Sequence, residues 1–171
     1  MRGCVANGLV AAVVLGGASS AFAADEPLSA CFDAVGTFLT TNTDVETKEV
    51  TSRGLISLTN GGHFFRTDSN EGGTPGYAPF SETRGAWRCV SDDNGMLHIV
   101  ATGIDFSHKT SEFPDQTLAR IDYDAVYNED SDSLAGNFTF YFLPINGNPM
   151  EKAAPGKVRG FTFDSIRVTA Q

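Results

Sequence analysis

Residues 118–143, LARIDYDAVYNEDSDSLAGNFTFYFL, constrain this chain more than any other stretch, because polar and apolar side chains alternate on both sides of the polar turn 128–133. A period of two places successive side chains on opposite faces of a strand, so the stretch predicts a β-hairpin. With Tyr127 opposite Leu134, one face carries Ile121, Tyr123, Ala125 and Tyr127 against Leu134, Gly136, Phe138, Phe140 and Phe142. The other carries Arg120, Asp122, Asp124 and Val126 against Ala135, Asn137, Thr139 and Tyr141. A two-stranded ribbon does not stand alone in water, so the rest of the chain must cover the aromatic face.

The N-terminus is set aside before any fold reasoning. Arg2 gives a short positive region, residues 9–18 are apolar, and Ala21-Phe22-Ala23 has the small-x-small pattern of a signal-peptidase site. Residues 1–23 therefore read as a secretory signal peptide, too short in its apolar part to span a bilayer. Residues 24–171 remain, the usual size of one domain. The whole chain carries a formal charge of −9, and the leader removes one base and no acid. Such acidity argues against nucleic acid and anionic membrane as partners. Two cysteines remain after cleavage, Cys31 and Cys89, and an exported chain predicts a disulfide between them. The expected address is periplasmic or extracellular.

Further strand signals follow one another at residues 35–41, 50–59, 63–69, 82–91, 96–106 and 157–169, punctuated by Asn60-Gly61-Gly62 and the turn 92–95. Residues 70–80, NEGGTPGYAPF, form a long loop of the kind that serves as a lid or binding loop. With the central hairpin this makes about eight strands and no amphipathic helix of useful length. The predicted fold is all-β, a single antiparallel up-and-down barrel, because closure removes exposed edges. A two-sheet sandwich is the alternative. At eight strands the lumen is filled by side chains or holds one small ligand.

The exported single domain, the strand count and the Gly-x-aromatic pairs Gly36-Thr37-Phe38 and Gly85-Ala86-Trp87 resemble the calycin-type barrels, the lipocalin and avidin-like proteins. The likeness covers nearly the whole mature chain. It departs in two places: the tryptophan lies on the fourth strand where lipocalins carry it on the first, and no C-terminal helix pattern follows the barrel. In outline the chain is similar also to allene oxide cyclase and dirigent-type barrels, which implies action on small hydrophobic molecules without cofactors.

Two functions follow as expectations. The first is binding of a small, mostly apolar molecule in the lumen, with Trp87, Tyr123, Phe138 and Phe140 as the ligand-contacting residues; packing in a solid core is the competing role for these aromatics. The second is a cofactor-independent lyase, isomerase or cyclase. There Arg120 would stabilise negative charge, Asp122 act as base and Tyr141 donate or orient, if these faced a dry lumen. The competing reading puts that polar face on the wet outside, and it reverses only if a second subunit of a homo-oligomer covers the aromatic face. His63 does not share a face with Arg66 and Asp68, whose polarity reads as surface; His98, between Leu97 and Ile99, reads as a candidate interior histidine. No zinc-type spacing links His63, His98 and His108, and the turn 128–133 lacks the glycine and later glutamate of a calcium loop. No metal or cofactor is expected.

Overall fold

The computed structural model describes residues 29–91, 96–151 and 158–170. The expected leader at 1–23 and the expected turn at 92–95 lie outside them. A 3-10 turn, η1 (Ser29–Phe32), leads into eight strands: β1 (Gly36–Asp44), β2 (Val50–Leu58), β3 (His63–Asp68), β4 (Thr83–Ser91), β5 (Leu97–Phe106), β6 (Thr117–Asn128), β7 (Ser133–Pro144) and β8 (Arg159–Arg167). Each pairs antiparallel with its sequence neighbours, and β8 returns to β1, closing an up-and-down barrel. Among the described residues no helix is long and apolar enough to cross a membrane.

The β6–β7 hairpin has the register its alternation dictates, with Tyr127 against Leu134, Tyr123 against Phe138 and Ile121 against Phe140. Its aromatic face turns inward. Phe38, Phe64, Tyr123, Leu134, Phe138 and Phe163 form the centre of the buried core. Tyr123 stacks on Phe138 with ring centroids 5.1 Å apart, and Phe138 on Phe161 at 5.0 Å. Glycines let the wall bend where backbones close up: a Cβ on Gly85 would strike the Thr102 carbonyl oxygen, and one on Gly136 that of Asp124.

The two ends of the barrel differ. At one end the strands are joined by short links such as 59–62 and 129–132, and the interior is shut. Arg167, at the end of β8, lies over the Phe38 ring with its guanidinium carbon 4.7 Å from the centroid. Its Nη1 donates to the Val35 carbonyl at 2.7 Å, Nη2 donates to that of Asp33, and Nε donates to Asp132. Asp132 also accepts from the Tyr127 hydroxyl at 2.8 Å, and these donors hold its carboxyl below the usual range. It adopts φ 48°, a left-handed conformation that aspartate tolerates in turns. One cation thus ties β8, the approach to β1 and the β6–β7 turn together. Beside it the Cys31 and Cys89 sulfurs stand at disulfide distance, with Cα atoms 5.9 Å apart, joining η1 to β4.

At the other end the longer links 69–82 and 107–116 gather around an opening. The first is anchored by Phe80 N–H to the Glu71 carbonyl at 2.9 Å and Ser81 N–H to that of Phe106 at 2.9 Å. His108 N–H donates to the Pro79 carbonyl at 2.7 Å, which joins the two loops.

Candidate functional site

The open end leads into a cavity of about 330 Å³, within the range of small-molecule sites. Strand order divides its lining in two. Strands β6 to β8 contribute Ala119, Ile121, Phe138, Phe140, Phe142 and Phe161. Phe140 stacks on Phe161 at 5.6 Å, extending the Phe138–Phe161 stack towards the mouth. Strands β1 to β5 contribute the polar side, because there the inward rows run from apolar residues at the shut end to Asp44, Ser52, Arg66, Asp68 and Asp105 at the open one.

Arg66 and Asp68 are on β3 one pleat apart, continuing the inward row begun by Phe64. Arg66 is 9% exposed, so the expectation that this pair is surface polarity is corrected: both groups are buried in the wall of the lumen. Arg66 Nη2 donates to Asp68 Oδ2, and the same oxygen accepts from Asn42 Nδ2 and Ser52 Oγ at 3.2 Å each. The guanidinium lies 4.6 Å from the Phe138 centroid, so the polar and aromatic sides meet through a cation–π contact. At the rim Arg159 Nη2 donates to Asp44 Oδ2 at 3.1 Å. Asp44 is held below the usual carboxylate range by the Thr47 and Glu46 backbone N–H groups first and Arg159 after them. Tyr77, from the loop 69–82, reaches across the mouth to Phe140 and Phe142, at 6.4 Å from each, under the Arg159 guanidinium at 5.4 Å.

Asp105, at the open end of β5, stands apart from these pairs. It is 7% exposed, its Oδ2 accepts one hydrogen bond from Thr83 Oγ1 at 3.2 Å, and among the described residues it makes no ion pair. Burial pushes its carboxyl up to about 6 from 3.8, against the Thr83 hydrogen bond and the charge of Arg66, with Glu71 adding to the rise. Between these two values the folded chain holds a proton that the unfolded chain has lost. This contribution to stability is fully present below pH 3.8 and is lost as the pH rises through about 6. Asp105→Asn is therefore expected to be more stable than the parent at pH 7 by up to about 3 kcal/mol, with the gap closing as pH falls. Urea denaturation from pH 4.5 to 7.5 checks this, and a gap that does not change with pH would contradict it.

The expected ligand residues divide. Phe138 and Phe140 line the cavity. Tyr123 lies beneath it, fully buried between Phe64 at 5.0 Å and Phe138, with a hydroxyl that has no hydrogen-bond partner among the described residues; burial raises its pKa. Trp87 is away from the cavity, packed against the core, and its Nε1–H donates to the Thr59 carbonyl at 2.9 Å. The structure brings Arg120, Asp122 and Tyr141 together, but on the outer face of the β6–β7 wall, since their inward-facing neighbours are Ile121 and Phe140. Arg120 donates twice to Asp122 Oδ1, at 3.0 and 2.9 Å, and Asp122 also accepts from Thr102 at 2.7 Å. Arg120 Nη1 and the Tyr141 hydroxyl each donate to the segment 144–151, to the Pro149 and Glu151 carbonyls at 2.9 Å. Together they pin that segment against the outside of the barrel. His98 is corrected too: it lies on the outer face, with Nδ1 2.9 Å from Asp124 Oδ1.

No protein-family profile, curated protein or solved structure matches this chain. Among the described residues no three His, Cys, Asp or Glu side chains are grouped to hold a metal.

Proposed function

We propose that this protein is an exported barrel that binds a small, mostly apolar molecule in the cavity at its open end. The observation that carries the reading is the continuous ring stack Phe138–Phe161–Phe140, open to a space of about 330 Å³. Burying apolar ligand surface against such a wall gains about 25 cal/mol per Å². The shut end, the open end and the up-and-down order are consistent with a calycin-type binding barrel. The leader-like residues 1–23 and the Cys31–Cys89 pair support an address outside the cytoplasm, periplasmic or extracellular. Binding is put ahead of a cofactor-independent lyase, isomerase or cyclase because Arg120, Asp122 and Tyr141 lie outside the lumen.

Titration with the neutral fluorophore N-phenyl-1-naphthylamine tests the reading. One saturable site with enhanced, blue-shifted emission is expected, and Phe140→Ala is expected to weaken it by roughly tenfold, the loss of about 1.4 kcal/mol. Absence of any saturable response, for this probe and a panel of uncharged aromatics, would overturn the proposal. Trp87 is not the reporter to follow, because it does not line the cavity.

A further inference from the structure

The charges around the cavity do not cancel. Its lining holds four carboxylates, Asp44, Glu49, Asp68 and Asp105, and two cations, Arg66 and Arg159. Each cation already has a carboxylate of its own, Asp68 for Arg66 and Asp44 for Arg159. Glu49 is exposed at the rim and has water as its solvent. Asp105 is different, being a buried carboxylate with one hydroxyl donor and no counter-ion among the described residues. A buried charge without a partner is costly, and a ligand that brings the opposite charge removes that cost on binding.

The other side of the same space is the Phe138–Phe161–Phe140 stack. Arg66 already lies over Phe138, and Arg159 lies 5.9 Å from the Phe161 centroid. Among the described residues no cation lies over Phe140, the ring nearest the mouth, whose negative face can attract one. Asp105 pairs with Ala119 in the β5–β6 register, and Ala119 with Phe142 in the β6–β7 register, so the carboxylate stands level with the mouth end of the aromatic wall, with β6 between them. The chain as a whole, at −9, draws cations towards it. The geometry points to a flat, lipophilic organic cation, such as a protonated or quaternary aromatic amine, as the ligand of this cavity, held between the Asp105 carboxylate and the Phe138–Phe161–Phe140 wall. This inference rests on the binding reading above and names the chemical class that the site selects. An apolar body satisfies the ring wall, and a single positive group supplies what Asp105 lacks. An anion would meet the uncompensated carboxylate and is rejected.

Two probes of one shape separate charge from fit. Phenyltrimethylammonium and tert-butylbenzene differ in a single atom, nitrogen for carbon, and hence in one positive charge. Isothermal titration of the purified protein at pH 7.5 is expected to show the cation binding at least about tenfold more tightly than the neutral isostere, with phenylacetate not binding. Asp105→Asn is expected to erase that preference, the cation losing at least about tenfold in affinity. Phe140→Leu, which keeps an apolar surface and removes a ring, is expected to weaken the cation more than the neutral isostere. Equal affinity of the two isosteres in the parent protein overturns the cationic class while the binding reading stands. A preference that survives Asp105→Asn overturns the role of that carboxylate. No binding of either probe at millimolar concentration overturns both readings.

Discussion

Replacing Cys31 and Cys89 together by alanine is expected to lower the stability of the protein by about 4 kcal/mol, given the 58-residue separation that the bond closes. For a domain whose whole stability is of the order of 5–15 kcal/mol, this is a large fraction. The effect has a place as well as a size. Cys31 belongs to η1, which has no sheet partner, and the bond fixes it to β4 at the shut end of the barrel. Without the bond η1 is held by the Arg167 hydrogen bonds to the chain that follows it and by local contacts. The cavity lies at the far end, so ligand affinity should change little under conditions where the variant stays folded. Urea denaturation with and without reductant provides the measurement. Coincident transitions under the two conditions would show that the pair is not bonded or does not constrain the unfolded chain.

Phe138→Ala is the second large effect. Phe138 is 4% exposed and packs against Tyr123, Phe161 and Phe163, with the Arg66 guanidinium over its ring. Loss of a buried phenylalanine costs about 3–5 kcal/mol, and the cost grows when the surroundings cannot collapse into the gap. Here collapse is opposed by the closed hydrogen-bonded wall. The replacement also takes a ring out of the stack that faces the cavity, so a folded remnant should bind aromatic probes weakly or not at all. Phe142, on the same inward row but 47% exposed at the mouth, serves as the control; Phe142→Ala should cost well under half as much. Similar losses at the two positions, by thermal or urea denaturation, would mean that burial does not set the larger cost at Phe138.

The fold was legible because a barrel strand must show its two faces in the sequence. The hairpin 118–143 showed its faces by alternation: pairing Tyr127 with Leu134 gathers Tyr123, Tyr127, Phe138, Phe140 and Phe142 on one side and leaves Tyr141 on the other. The outward assignment of Arg120, Asp122 and Tyr141 followed from the same alternation. Less of the site could be read. Alternation says which residues share a face, and it does not say where along the face water begins. Arg66 follows Phe64, and Asp105 follows Gly103, on rows that start in the core. Each polar residue reads equally well as a strand leaving the barrel or as a charge kept inside it. The available signal was the pairing of opposite charges one pleat apart, Arg66 with Asp68, on a row already committed to the interior by Phe64. For Asp105 no such signal exists, because its partner Thr83 comes from a different strand. Trp87 was misplaced for a similar reason, since an inward-facing aromatic can lie at either end.

The return of β8 onto β1 has a consequence for how the molecule is made. Residues 38–44 pair with residues 161–167, so the seam joins the first strand of the sheet to the last. Contacts of such sequence separation carry a high closure entropy and form late. During synthesis β1 has one partner until β8 has emerged, and β7 likewise has an open edge. The nascent sheet therefore presents two bare edges beside its aromatic residues, a state prone to pair with other chains. Arg167, at the end of the closing strand, reaches the chain before β1 only once that seam is made. Its contacts act as a completion signal, present in the finished barrel and in no shorter intermediate.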